Sequence, residues 1–136
     1  MRHIFEILAV LLLLTVTKSY GQTNDCDTIY NNSETIPQYE NDFKGLSDYL
    51  IKELVPIIAN CMERDTDIIV SLYIILTIDS DGRVIDATFP KHNLSSLCKA
   101  DLKKKLLTMD GWTAGQKDGR PVCSKFNWPI GCLKWK

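Results

Sequence analysis

From Phe43 onward the apolar residues recur every three to four positions, at Phe43, Leu46, Leu50 and Leu54. That period places them on one side of a short amphipathic helix. Pro56 is expected to limit it, because the residue before a proline disfavours helical angles. The run IIANCMERD adds a further helical turn, with Ile57, Ile58 and Cys61 on one side. The rhythm then changes. Residues 67–78, DIIVSLYIILTI, are apolar at almost every position and rich in β-branched side chains. Such a strand is either covered on both faces or central in its sheet. Asp81-Gly82 separates it from RVIDATF, and Gly82 can take the positive φ of a hairpin turn. Pro90 is expected to end that second strand. Between 93 and 109 the helical period returns, with Leu94, Leu97, Cys98, Leu102, Leu106 and Met109 as its stripe. Asn93 or Ser95 can cap its start, and Lys103 to Lys105 form a solvated face where positive charge suits the helix dipole. Gly111 stops that helix, Trp112 is an anchoring aromatic, Gly115 to Gly119 turn, and Pro121 sets the entry of a last strand. In that strand Val122, Phe126, Trp128, Ile130 and Cys132 share one face. Cys123, Lys125, Asn127 and Pro129 share the other. Pro129 cannot donate to a ladder, which suits an edge.

The element order is helix, strand, strand, helix, strand. A strand–helix–strand crossover makes the third strand parallel to the second. If it lies beside the first, every neighbouring pair is antiparallel and the order is 2-1-3. The apolar strand 67–78 is then central and 122–132 is an edge. The expected fold is α+β, a three-stranded antiparallel sheet with both helices on one face. The domain runs from 43 to 136. Residues 22–42, polar and rich in Asn and Asp, read as an irregular leader in which Pro37 fixes an extended turn.

The first 21 residues change the picture of where the chain works. Arg2 precedes an apolar run from Ile7 to Val16, and the small residues Ser19 and Gly21 stand three and one positions before a cut after Gly21. This predicts a secretory signal peptide and an exported, periplasmic or envelope location. The segment carries Arg2 and Lys18 against Glu6, so its removal takes the net charge from −1 to −2. There is no basic field for nucleic acid. All five cysteines (26, 61, 98, 123 and 132) lie after the cut, and export makes up to two disulfides the expected state, with one thiol left over. Facing directions favour Cys61–Cys98 or Cys98–Cys132, and leave Cys123 on the outer face as the thiol to watch.

Candidate chemistry is sparse. His92 is the only histidine after the cut, so no metal set and no triad is expected. DSDG resembles the opening of a calcium loop, but the twelfth residue from Asp79 is Pro90 where a glutamate is needed. Asp79, Asp81 and Asp86 read as turn and strand-surface residues. GQKDGRPV lacks the spacing of a phosphate loop. Neither an enzymatic activity, nor a cofactor, nor a small-molecule substrate is expected.

Three motifs occur in order. The first is Gly45, Leu46, Tyr49-Leu50 and Pro56-Ile57-Ile58-Ala59. The second is Asp81-Gly82-Arg83-Val84-Ile85-Asp86-Ala87. The third is Trp112-Thr113-Ala114-Gly115, Gly119-Arg120-Pro121-Val122, Phe126 and Pro129-Ile130. With them the chain resembles the TonB C-terminal domain family, in its short exported forms, from about Pro37 to Cys132. Ala114 stands in place of a proline, Val55 in place of a tyrosine, and Cys132 in place of an aromatic. The uncleaved membrane helix and proline-rich spacer of TonB are not expected here, so the energy-transducing role does not follow.

The resemblance implies a binding module whose last strand pairs with an extended segment of an envelope protein, such as a TonB-dependent receptor. The implied contact residues are Val122, Cys123, Ser124, Lys125, Phe126, Asn127, Trp128 and Ile130, with the Gly115–Arg120 turn flanking them. The alternative is a structural or assembly protein of the envelope, supported by disulfides and associating with itself or its neighbours.

Overall fold

The computed structural model describes residues 26–62 and 69–134. The expected signal peptide lies outside the described residues. In chain order the strands are β1 (Gln38–Tyr39), β2 (Ile69–Ile78), β3 (Val84–His92), β4 (Trp112–Thr113), β5 (Gly115–Lys117), β6 (Arg120–Val122) and β7 (Ser124–Lys134). The helices are α1 (Asp42–Tyr49) and α2 (Val55–Cys61), before the main sheet, and α3 (Ser96–Leu106) within it in sequence.

The helical period after Asn41 produces one long interrupted helix. Leu50–Leu54, between α1 and α2, is a π-helical segment, and the N–H of Val55 donates to the carbonyl of Leu50, five residues back. Pro56 accounts for it. A proline ring crowds the carbonyl four residues earlier, here Lys52, and offers it no N–H. One extra residue in the turn moves that carbonyl aside. The limit expected at Pro56 is thus an irregular turn rather than a break, and the further turn expected over IIANCMERD carries the helix to Cys61. Of the expected stripe, Leu46 and Leu54 are buried, with Ile58 beyond them, and Leu50 packs at the border of the core. Phe43 does not join them and is 84% exposed.

The fold is α+β, and its main sheet is three-stranded and antiparallel in the order β3-β2-β7. This is the order expected from the hairpin and crossover. Val70, Leu72, Ile74, Leu76 and Ile78 of β2 are almost fully buried and share one core with Leu54, Ile58, Leu102 and Leu106. Each such side chain stabilises the fold by about 1.5–3 kcal/mol through burial. The alternate residues Tyr73 and Ile75 are only half-buried, and Ser71 is exposed. The apolar run thus reflects a central position rather than cover on both faces.

The outer strands depart from the expectation at Pro90 and just beyond Pro129. β3 runs through Pro90 to His92. Its register moves from Ile75↔Thr88 to Tyr73↔Lys91, so Phe89 and Pro90 stand opposite Ile74 alone. A bulge on an outer strand tolerates a residue without an N–H. In β7 the register moves from Tyr73↔Pro129 to Leu72↔Gly131, which leaves Ile130 unpaired. Gly131 adopts φ 77° there. The extra residue reverses the alternation beyond it. Cys132, expected to face inward, is a free exposed thiol, and Leu133 packs on the core in its place.

The β2–β3 turn is tied by Asp79. Its Oδ1 accepts the N–H groups of Asp81 and Arg83, each at 2.9 Å, and its Oδ2 accepts Arg83 Nε at 3.0 Å. Asp79 is a turn residue as expected, but it is buried rather than on the surface. Gly82 has φ 81°, and a Cβ on it would lie 2.3 Å from the Trp112 carbonyl oxygen. The turn therefore needs glycine for its backbone angle and for the chain that crosses it.

Ser95 caps α3, its Oγ accepting the Cys98 N–H at 3.2 Å. Asn93 instead accepts the Ser71 N–H at 3.0 Å. Cys98, Leu102, Leu106 and Met109 are buried, whereas Leu97 is exposed. The lysine run does more than solvate a face. Lys103 meets Asp86 of β3 at 2.7 Å, and Lys105 meets Glu53 at 2.6 Å.

The Lys103 ammonium holds the Asp86 carboxyl below its ordinary range, outweighing the opposite effect of burial. A carboxyl with a depressed folded pKa stabilises the fold above its unfolded value, about 3.9. That contribution is lost as pH falls through the folded value. Both groups are partly exposed, so Asp86→Asn is expected to cost no more than about 1 kcal/mol near neutrality, and less near pH 2. Urea unfolding at the two pH values checks this. An equal loss at both would show that charge is not the cause.

Candidate functional site: the outer edge of β7

The last third of the chain is built around two turns that glycine makes possible. Gly111, at φ 87°, ends the segment after α3 and directs Trp112 into the core. Trp112 lies 5.1 Å from the Tyr39 ring and 4.8 Å from the Phe126 ring. Asp118 (φ 53°) and Gly119 (φ 70°) then join β5 to β6. Positive φ at both central residues is the type I′ hairpin turn, for which Asp-Gly is a preferred pair. The expected single turn from Gly115 to Gly119 is thus a two-stranded hairpin that delivers the chain to β7.

Residues 26–39 carry little regular structure, yet they lie along this last third. Cys26 is disulfide-bonded to Cys123, with 5.8 Å between their Cα atoms. Tyr30 forms a parallel bridge with Ser124: its N–H donates to the Cys123 carbonyl, and its carbonyl accepts the Lys125 N–H, each at 2.9 Å. Thr35 exchanges two backbone hydrogen bonds with Gln116, and β1 pairs with β4. Pro37 is buried. Gly115 permits the approach, since a Cβ there would come within 2.3 Å of Ser124 Oγ and 2.7 Å of Ser33 Oγ.

The hydrogen bond from Lys125 to Tyr30 fixes the direction of the β7 backbone groups. Lys125 donates away from β2. By the alternation of an antiparallel ladder, Asn127 does the same, and Pro129 falls in that outward set, where its missing N–H costs no ladder bond. Beyond Lys125, among the described residues, no strand pairs with the outer side of β7. The open edge runs from Phe126 to Lys134.

The residues expected to contact a partner are therefore not equivalent. Val122 belongs to β6. Cys123, named as the thiol to watch, is in the disulfide, and Ser124 is fully buried. Trp128 is buried, and Phe126 and Ile130 pack on the core. Only Lys125, half-buried, and Asn127, exposed, present side chains on the other face, beside exposed Pro129. A partner strand at this edge would be held mainly by backbone. Of the two pairings open to Cys98, Cys61–Cys98 is the one present, with Cα atoms 5.5 Å apart.

The contribution of Tyr30 was not legible in the sequence, where it stands in a polar run. The unmatched Cys26 was the one signal that this segment is fastened elsewhere. A second concave region, of about 270 Å³, lies between Tyr39, Glu40, Tyr49 and Glu53. Burial, then the charge of Glu53, pushes the Tyr49 phenol up to about 12, and its hydroxyl donates to the Lys105 carbonyl at 3.3 Å. It stays protonated and serves structure. Among the described residues no group of acidic, cysteine and histidine side chains is placed to hold a metal ion, and no helix is long and apolar enough to cross a membrane.

No protein family, no curated protein and no solved structure matches this chain.

Proposed function

We propose that the chain is an exported, non-enzymatic interaction module that binds an extended peptide by strand addition along β7. The observation that carries this is the open outer side of β7 from Phe126 to Lys134, in a sheet whose last strand in sequence is an edge. Backbone hydrogen bonds supply affinity in this mode of recognition. The three TonB-like motifs support it, because in that family the last strand is the one that pairs with a receptor segment. Both helices on one side of the sheet would complete the likeness. The expected partner is an extended segment of an envelope protein, such as a TonB-dependent receptor. Two disulfides fit an oxidising compartment outside the cytoplasm.

Titration of the purified chain with receptor-derived peptides, followed by NMR, tests this. Amide shifts are expected along 126–134, with little change in β3. Asn127→Pro removes an outward N–H while respecting the strand geometry. It is expected to weaken binding about three- to tenfold, the worth of one backbone hydrogen bond. Shifts scattered over the molecule, or none, would exclude strand addition at this edge.

One observation favours the assembly alternative. Cys132, the cysteine outside both bridges, is exposed on the same open strand. Light scattering with and without reductant separates the two. A monomer in both conditions removes self-assembly.

A further inference from the structure

The strap that begins at Cys26 already does to the head of β7 what the proposed partner would do to the rest of it. Tyr30 is held parallel to β7 by two backbone hydrogen bonds, one from its own N–H and one to its carbonyl. These occupy the Cys123 carbonyl and the Lys125 N–H, the outward groups at the strand's start. Between Cys26 and Ser33 the strap has little else to hold it there, and its next anchor is Thr35, which exchanges two backbone hydrogen bonds with Gln116. Ile29 is 43% exposed, so its side chain is not anchored in the core. Lys117 Nζ sits 4.6 Å from the centroid of the Tyr30 ring, a surface contact. Segments with few buried apolar contacts open locally at low free-energy cost. What prevents the outer end of this one from leaving is covalent. Cys26 and Cys123 flank the paired position, and their bridge spans 97 residues of sequence.

We propose that residues 26–33 are an intramolecular occupant of the β7 edge and that the Cys26–Cys123 disulfide locks them in place. This inference rests on the strand-addition reading. With the lock closed, a partner peptide is confined to the edge beyond Lys125. With the lock open, the strap is displaceable and the edge lengthens to include Cys123 and Lys125. The new partner strand then takes the place of Tyr30, parallel to β7. A dithiol reductant opens the lock by exchange. Its thiolate attacks Cys26 Sγ, which is more accessible than the buried Cys123, and Cys123 leaves as a thiolate and takes up a proton. The second thiol of the reductant then displaces Cys26 and closes the reductant's own disulfide, so two electrons reach the protein and two protein thiols result.

Amide hydrogen exchange at Lys125 reads the strap directly, without any partner. In the oxidised chain the Lys125 amide is expected to be protected. In the double variant Cys26→Ala, Cys123→Ala it is expected to exchange at least about tenfold faster, while the amides of Leu72 and Ile74, though less protected than in the oxidised chain, stay far more protected than that of Lys125. Cys26→Ala alone serves as a second variant if the first fails to fold. It leaves the buried Cys123 in place but opens the lock, and it is expected to deprotect Lys125 in the same way. The receptor-derived peptide is then added to each form. Its footprint is expected to extend to 123–125 only in the variants. Unchanged protection of Lys125 in both variants, or a footprint that stays beyond Lys125 in every form, overturns the lock. If no peptide binds any form, strand addition itself fails, and the Lys125 exchange still decides whether the strap is held as described.

Discussion

Trp112→Ala is expected to lower the unfolding free energy by about 3–5 kcal/mol, the usual cost of emptying a large aromatic site. Few single changes in this chain should cost more. Trp112 is only 7% exposed, and its ring joins Tyr39 of β1 to Phe126 of β7. Removing it uncouples the N-terminal segment, the segment after α3 and the outer strand together. Its backbone carbonyl lies against Gly82 of the β2–β3 turn. Trp112→Phe separates the causes. The phenyl ring keeps part of the aromatic contact, and it deletes the indole Nε1, which is buried and meets no acceptor within the protein. A buried donor without an acceptor is costly. Its loss offsets part of the lost volume, and the Phe variant should lose less than half as much as Ala. Urea unfolding checks both through the midpoint at unchanged slope. A loss below about 1 kcal/mol for Ala would show that the aromatic cluster does not couple these elements.

The second large effect concerns the disulfides. A bridge restricts the unfolded chain more when it closes a longer loop. On this basis the Cys26–Cys123 bridge, across 97 residues, stabilises the fold by about 4.7 kcal/mol. Cys61–Cys98, across 37, contributes about 4 kcal/mol. The paired alanine variants should lose stability in that order. The comparison has a structural counterweight. Cys98 is 1% exposed in the core, so its truncation also leaves a void, whereas Cys26 is at the half-buried margin. If the Cys61–Cys98 variant proves the weaker, packing outweighs chain entropy at that site. Thermal unfolding of each variant without reductant decides between them.

Much of the fold was legible because it follows from local rules. Asp81-Gly82 between two β-rich runs required a hairpin, and the buried Asp79 carboxylate shows how the turn is held. Ser95 was one of two offered caps and is the one used. The strand order followed from a hairpin plus one crossover. Placing Pro129 at an edge was correct because the outward set of β7 makes no ladder bond to β2 there. Pro90 was misjudged by the same kind of rule, which expected it to end its strand, and the limit expected at Pro56 became an irregular turn within a continuing helix. A π-helical segment carried the helix past Pro56, and a bulge on an outer strand carried β3 past Pro90. Helix angles and strand pairing near a proline are biased locally, but packing of Leu54 and Ile58 on one side of Pro56 outweighs that bias.

The candidate site was legible as a strand and not as a surface. Alternation separated Lys125 and Asn127 from Phe126 and Trp128. It did not show that the Gly131 bulge turns Cys132 outward, because one unpaired residue reverses every side chain beyond it. Nor did it show that Tyr30 already uses the first part of the edge.

The sequence by itself determined the elements and their neighbours: helical and strand periods, the Asp-Gly turn, the central apolar strand, and a last strand suited to an edge. Each of these is decided within a few residues by backbone angles and side-chain burial. Only the tertiary structure decided which part of that edge is open, which cysteine is left free, and where the polar N-terminal segment goes. Those outcomes depend on contacts between residues nearly a hundred positions apart, held by one disulfide and two backbone hydrogen bonds. No local pattern encodes such a contact, because its free energy is realised only after the sheet has formed and presented its outer strand.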